Sequence, residues 1–360
     1  MRLRKLQLRN FRNCANLDLN LDSNKVIITG KNGQGKTNIL ESIRFLSTLK
    51  SPRTSDIKDF VKFDTDGFSI LCEFQKSGIS VELKIEYSPG KTKILKLNGL
   101  RTIPKNYKAA LNTVLFTVED LLLLRGSPQN RRDWLDSAIS QIYPAHDERL
   151  NKYNKIRTQK NNLLKEPVID MDLLDVFDEQ IMLTGANIIY VRKKFLSELK
   201  KYAVKKYNEI ISSENFSFEY SFPHSDIENI AKMLEDELKR GRNEEISRHQ
   251  SCIGPHRDDI YFYLNNSDAL KFSSQGQQRT IVLALKLAEI ELIKNKNGYS
   301  PILLLDDVLA ELDDLRQNYL LKSISKNTQT IITSVESLVF KEDFLNDASV
   351  YKIADGIIVD

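Results

Sequence analysis

Gly30-Lys31-Asn32-Gly33-Gln34-Gly35-Lys36-Thr37 stands near the start of the chain, and Ile302-Leu303-Leu304-Leu305-Asp306-Asp307 stands near its end. The first block fits Gly-x-x-x-x-Gly-Lys-Thr, the phosphate-loop pattern. Val26-Ile27-Ile28-Thr29 precedes it, a β-branched run that predicts a buried strand. After it, apolar residues at 39, 40, 43 and 46 have helical spacing. A glycine loop between a strand and a helix turns backbone N–H groups inward, and the helix N-terminus adds to their preference for anionic charge. Lys36 would then reach the β- and γ-phosphates of a nucleotide, and the Thr37 hydroxyl would ligate Mg²⁺.

The second block is an apolar run ending in paired carboxylates, the Walker-B arrangement of an acid at the tip of a buried strand. Asp306 would hold the Mg²⁺ shell, and Asp307 is placed to orient or deprotonate an attacking water. Ala310-Glu311-Leu312-Asp313 follows at D-loop spacing. Upstream, Ser273 to Gln277 resembles the Leu-Ser-Gly-Gly-Gln signature of ATP-binding-cassette proteins. A long amphipathic helix is expected after it, with Ile281, Leu283, Leu285, Leu287, Ile290 and Leu292 as its main apolar positions. Alone, such a string also fits an ordinary helix cap. Its place before a Walker-B strand, in a chain with a phosphate loop, favours the signature.

Longer strings carry a more specific resemblance. Gly30 to Asn38 is similar to the phosphate loop of the SMC-like branch of the cassette ATPases, and Leu6 to Asn13 to that branch's N-terminal strand. Gly254-Pro255-His256-Arg257-Asp258-Asp259, Ser274 to Thr280 and Leu303 to Asp313 resemble the RecF family of bacterial recombination mediators, and so do Gly126-Ser127-Pro128, Arg131-Arg132 and Leu135-Asp136.

The resemblance implies ATP and Mg²⁺ as ligands. Gly30 to Asn38 would bind ATP, including Lys31, Asn32, Gly33, Gln34 and Gly35, with Arg12 near the base. Ser274, Gln275, Gly276 and Gln277 would act in trans on the γ-phosphate held by a second subunit. It further implies an ATP-dependent homodimer that binds DNA, duplex and gap junctions alike, without reading sequence. Its setting would be DNA replication, recombinational repair and the SOS response to DNA damage. There it would help load recombinase, with RecR and RecO as partner mediators. Two departures from the wider class stand out: Asp307 replaces the usual Glu, and Thr333-Ser334-Val335 replaces the switch His after the next strand. Both predict slow hydrolysis, a weak ATPase used as a release switch.

The chain has 360 residues and a formal net charge of +4. Its three cysteines, Cys14, Cys72 and Cys252, are too scattered for a disulfide framework or a zinc site, which predicts a reducing, cytoplasmic setting. The basic N-terminus is followed by no apolar signal core, and no run is long enough to cross a bilayer. Charge is uneven. Residues 150–165 carry Lys152, Lys155, Arg157, Lys160 and Lys165 with no acid, +5. Residues 191–206 carry seven cations, Arg192, Lys193 and Lys194 among them, against Glu198 alone, +6. Such faces can track DNA phosphates or merely solvate a helix, and sequence leaves both open. Lys152, Lys155, Arg157, Lys160, Arg192, Lys193 and Lys194 are the DNA-contact candidates. The Pro-His-Arg-Asp string at 255–258 has two readings, a phosphate contact through Arg257 or, favoured, a structural turn whose Arg and Asp pair locally.

The expected fold is α/β: an ABC-type P-loop ATPase head with an antiparallel β subdomain and an inserted helical arm domain. Val81 to Tyr87 alternates as a half-buried strand, Ser88-Pro89-Gly90 turns it, 93–97 returns, and Asn98-Gly99 turns again. From about 118 to 245 the character is helical, broken at Glu166-Pro167. A helix over 171–210 would be about 60 Å long, an arm. The predicted domains are 1–117 and 246–360 for the ATPase, with 118–245 inserted. Besides a DNA clamp closed by ATP, two readings stay open: a transporter's energy-coupling ATPase, and a nucleotide-sensing interaction protein that recruits partners with little DNA contact.

Overall fold

The computed structural model describes residues 1–324, 328–335, 342–345 and 347–359. The chain divides into two compact units, Met1–Leu121 with Val282–Asp360, and Leu122–Ile281.

The first unit holds two six-stranded sheets. One is antiparallel, in the order β2 (Cys14–Asn20), β1 (Arg2–Phe11), β4 (Phe68–Lys76), β5 (Ile79–Tyr87), β6 (Ile94–Leu97), β7 (Leu100–Arg101). β4 and β5 run in unbroken register from Phe68↔Tyr87 to Lys76↔Ile79. The β6–β7 turn is Asn98-Gly99, both with positive φ (50° and 78°), as a tight primed turn requires.

The other sheet has the order β15 (Ile357–Val359), β14 (Ala348–Ala354), β3 (Lys25–Thr29), β13 (Thr330–Ser334), β12 (Ile302–Asp306), β8 (Thr113–Thr117). All neighbouring pairs are parallel except β14–β15. Its three central strands β3, β13 and β12 are almost wholly buried, which is why Val26-Ile27-Ile28 and Ile302 to Leu305 read as continuous apolar runs. α1 (Lys36–Thr48) and the short α2 (Pro104–Lys108) accompany these sheets. One core joins the two sheets, with Leu6, Leu8, Phe11, Ile43, Phe45, Ile70 and Leu304 in it.

The second unit is mainly helical: α3 (Pro128–Ile142), α4 (Ala145–Leu163), α5 (Met171–Ile210) and α6 (Ile227–Arg248). Pro167 falls between α4 and α5, and Asp170 caps α5 by accepting from the Leu173 N–H. A three-stranded sheet accompanies the helices: β9 (Phe216–Tyr220), β10 (Ile260–Leu264) and β11 (Ser267–Asp268). α7 (Ala269–Phe272) leads to α8 (Gln275–Asn297), which starts in this unit and ends in the first; α9 (Asp314–Ser323) and α10 (Glu342–Leu345) complete the chain.

The second unit thus returns to the first at 281/282, not at the 245/246 boundary read from composition. The cause is pairing between distant segments. β10 joins β9 from Ile260↔Tyr220 to Leu264↔Phe216, so the first strand after 246 belongs to a small sheet of the helical unit. Among the described residues, no helix is long and apolar enough to cross a membrane.

Candidate nucleotide site

β3 leads directly into the glycine loop and α1 leaves it. Gly30 has no room for a side chain, since a Cβ there would lie 2.3 Å from the Ile353 carbonyl oxygen on β14. Gly35, at the N-cap of α1 with φ 109°, is similarly excluded by Asn13, whose Oδ1 would be 2.8 Å away. The Lys36 ammonium, on a side chain that is almost fully buried, donates to the carbonyls of Gly30 (2.7 Å) and Lys31 (3.1 Å). It therefore lies along the inside of the loop.

β12 is separated from β3 by β13 alone, so the tips of three parallel strands meet beside the loop. Thr37 Oγ1 donates to Asp306 Oδ1 at 3.0 Å, and Thr333 Oγ1 at the end of β13 donates to the same oxygen at 2.8 Å. The Thr333 hydroxyl also accepts the Asp307 N–H at 3.0 Å, fixing the turn where Asp307 adopts φ 50°. Burial holds the Asp306 carboxyl above its ordinary range; the two threonine hydrogen bonds oppose this, and Asp307 beside it adds to the rise. Asp307 Oδ1 is buried with no hydrogen-bond partner among the described residues. A hydroxyl, a carboxylate and an orphaned buried oxygen form an all-oxygen donor set, the kind that suits a hard divalent cation such as Mg²⁺.

These residues open onto a cavity of about 380 Å³ lined by Asn32, Gly33, Gly35 and Lys36 to Asn38 on one side, with Asp306 and Asp307 on another. Lys31 and Gln34 belong to the same loop; Gln34 Oε1 accepts the Asp355 N–H at 2.7 Å. Arg53 and Glu119 also line the cavity. Nothing in the sequence singled these two out, because neither Arg53, in an irregular segment, nor Glu119, at the start of a short 3₁₀ turn, belongs to a motif. Thr333 did carry a signal, since it occupies the strand end where a switch His was sought.

Arg12 is not among the lining residues. Its guanidinium makes two hydrogen bonds to the Glu41 carboxylate (2.8 and 3.0 Å), donates to the Asp59 carbonyl and lies 4.9 Å from the Phe60 ring centroid. Glu41, which does line the cavity, also accepts from Ser51 (2.5 Å) and Arg53 (3.5 Å), while Arg53 donates to Asn38 at 2.8 Å. Arg12 thus touches the cavity through Glu41.

In the second unit, Ser274 and Gln277 form a reciprocal pair at the start of α8: Ser274 Oγ accepts the Gln277 N–H at 3.2 Å, and Gln277 Oε1 accepts the Ser274 N–H at 2.7 Å. Gln277 also donates to Glu214 at 2.6 Å. Ser274 and Gln275 are exposed and Gly276 is half-buried.

The basic candidates separate sharply. Lys152, Lys155 and Lys194 are exposed and Arg157 is half-buried. Lys160 is fully buried between Asp178 (2.6 Å) and Glu245 (2.5 Å), and Arg192 is buried against Asp136 (2.7 and 2.9 Å), Tyr220 and the Pro255 carbonyl. Neither is available to DNA, which corrects the reading of both as surface cations: charge runs do not reveal which helix positions turn inward. Lys193 donates to the Phe222 carbonyl and is likewise engaged. The 255–258 string is a turn, but partners outside it hold it rather than the expected local Arg–Asp pairing: Arg257 donates to the Ser251 carbonyl and Asp258 accepts from the Tyr220 hydroxyl. His256 Nδ1 meets the Tyr153 hydroxyl at 2.6 Å and its Nε2 the Ser251 carbonyl at 3.1 Å, while Asp259 pairs with Arg131.

The family model for the RecF/RecN/SMC N-terminal domain matches residues 2–357. This chain belongs to that family. It is 40% identical to the DNA replication and repair protein RecF of Streptococcus gordonii, across 99% of this chain and 100% of that one. It is 39% identical to the same-named protein of Natranaerobius thermophilus, across 97% and 94%. A solved structure of the recombination mediator protein RecF-ATP in the RecFOR pathway superposes with a TM-score of 0.90, at 34% identity over 99% of this chain and 97% of that one. The two-sheet α/β unit with its helical companion is accordingly the fold of the RecF and SMC heads.

Proposed function

We propose that this chain is a DNA replication and repair protein that binds ATP in the cavity at the 30–37 loop, with Mg²⁺ between Thr37 and Asp306. The observation that carries this is the convergence of Thr37 and Thr333 on one Asp306 oxygen beside the buried Lys36. The RecF proteins above, and the ATP in the name of one of them, support the same reading.

Lys36 would exchange its loop carbonyls for β- and γ-phosphate oxygens, and the loop N–H groups would hold the chain of phosphates. Bound Mg²⁺ would supply positive charge to the β- and γ-oxygens. Asp307, which lines the same cavity and has one oxygen without a hydrogen-bond partner among the described residues, would orient the attacking water and accept its proton. Its side chain is one methylene shorter than Glu, and Thr333 stands where an imidazole would help, so turnover is slow.

Ser274 and Gln275 are exposed, and Gly276 and Gln277 half-buried, at the N-terminus of a 23-residue helix. They would complete the site of a second copy by meeting its γ-phosphate, so ATP closes a homodimer. Closure would align DNA-binding surfaces, and slow hydrolysis would release DNA. Lys152 and Lys155, exposed one turn apart on α4, and the half-buried Arg157 would be the remaining phosphate contacts of that helix. Binding near single-strand gaps, recombinase loading, RecO and RecR as partners, and a cytoplasmic location belong to the same reading. Equilibrium binding of an ATP analogue with and without Mg²⁺, followed by DNA binding of the nucleotide-bound form, tests it. Failure of Mg²⁺ to tighten the analogue would remove its basis.

The burial of Lys160 and Arg192 favours a second reading, in which the ATP-bound dimer recruits protein partners and barely touches DNA. DNA affinity unchanged by nucleotide would select it.

A further inference from the structure

α5 is a 40-residue helix, about 60 Å long at 1.5 Å per residue. One face packs into the second unit, burying Leu174, Ile181, Ile188, Phe195, Leu199 and Tyr207 among others. The opposite face runs its whole length in steps of three and four residues, so it forms a single stripe. In the first half this stripe holds Asp172, Val176, Glu179 and Leu183, all exposed, the two apolar ones by 46% and 52%. Tyr190, half-buried, lies midway. In the second half it holds Lys194, Lys201 and Lys205, again all exposed. The segment from Glu166 to Val191 has six acids and no Lys or Arg, whereas basic residues dominate 192–206. One face of one helix is therefore acidic and apolar at its start and basic at its end.

We propose that this face is a self-association surface, on which a second copy of this chain lays its own α5 antiparallel, independently of any nucleotide-driven contact. A two-fold axis at Tyr190 sets Glu179 opposite the partner's Lys201, each eleven residues from the axis. Asp175, which also pairs with Arg242 within the chain, meets Lys205 at fifteen residues. Val176 meets the half-buried Val204 at fourteen. Every such contact occurs twice, because the interface is isologous. A parallel pairing would instead stack acid on acid and Lys on Lys. A DNA backbone laid along the stripe would gain from its basic half and be repelled by Asp172 and Glu179. A second copy satisfies both halves.

The test is sedimentation equilibrium of the full chain without nucleotide, in a Lys36→Ala background so that ATP-driven closure cannot contribute. At low salt a monomer–dimer equilibrium is expected, weakening as salt rises. Glu179→Lys or Lys201→Glu alone should raise the dissociation constant by ~10-fold or more, and the two together should restore it to within about threefold, as a swapped charge pair does. In a Cys252→Ser background, where only the buried Cys14 and Cys72 remain, Tyr190→Cys should oxidise to a covalent dimer. Gln180→Cys should not, because the paired helices would hold the two copies of residue 180 about 30 Å apart. A monomer at all concentrations and low salt would overturn the proposal. So would a loss of DNA affinity in Lys201→Glu with self-association unchanged, which would assign the basic half to DNA.

Discussion

The hydroxyl of Thr37 donates to the Asp306 carboxylate at 3.0 Å across 269 positions of sequence. Two motifs at opposite ends of the chain are thus one site. The link exists because β3 and β12 flank β13 in a parallel sheet, and parallel strands present all their C-terminal ends on one edge. Lys36, Asp307 and Thr333 gather at the same edge for the same reason.

Thr333 should matter more than an ordinary strand-end residue. Thr333→Val keeps the shape but removes the donor to Asp306 and the acceptor for the Asp307 N–H. A hydrogen bond to a charged group contributes ~1.5–3 kcal/mol. Calorimetric titration of ATP in the presence of Mg²⁺ should show affinity lowered by ~10-fold or more. An unchanged affinity would make Thr333 incidental to the site.

Asp307→Asn should leave ATP affinity within a few-fold of the parent while lowering turnover by ~100-fold, the scale of a positioned base. The nucleotide-bound dimer should then persist for longer on DNA, measurable as a slower dissociation rate. Normal turnover would exclude Asp307 from the chemistry.

Ser274→Arg should bind ATP as a monomer with normal affinity and fail to dimerise. Its side chain is exposed and its hydroxyl caps only the Gln277 N–H, so the folded chain loses little, ~1 kcal/mol. Light scattering with and without ATP reads the result. Normal ATP-dependent dimerisation would remove the signature from the interface.

Stability should fall as the medium is acidified through the His256 window. Burial lowers the His256 pKa from 6.5 to about 3, reinforced by Arg157, Arg257 and Arg132 and opposed by the hydrogen bond to Ser251. The unfolded chain therefore takes up a proton below pH 6.5 that the folded chain refuses until about pH 3. This contribution is fully present above pH 6.5 and is lost on the way down, by up to ~1.4 kcal/mol per pH unit. Urea unfolding at pH 7, 6 and 5 should show a steeper loss for the parent than for His256→Gln. Equal slopes would mean that His256 titrates normally.

The sequence made the ATP-site motifs legible because each concentrates its chemistry in a few adjacent residues with strict conformational demands. Gly30 must be glycine because Ile353 leaves no space, and that constraint shows as a motif. The hairpin at Asn98-Gly99 was legible for the same reason. Arg53 and Glu119 were not, because tertiary packing alone brings them to the cavity. Nor was the burial of Lys160, whose partners Asp178 and Glu245 come from two other helices. Composition saw a basic stretch, while packing decided which of its cations face inward. The limit of the second unit was hidden likewise, since the β9–β10 pairing spans segments that look unrelated in sequence.

The most direct test of the account is the ATP turnover rate across protein concentrations, with and without duplex DNA. The account predicts turnover that rises more steeply than protein concentration and rises further with DNA, because each active site needs residues from two copies. Turnover strictly proportional to protein at concentrations well below the dimer's dissociation constant, and indifferent to DNA, would mean a self-contained site and would contradict it.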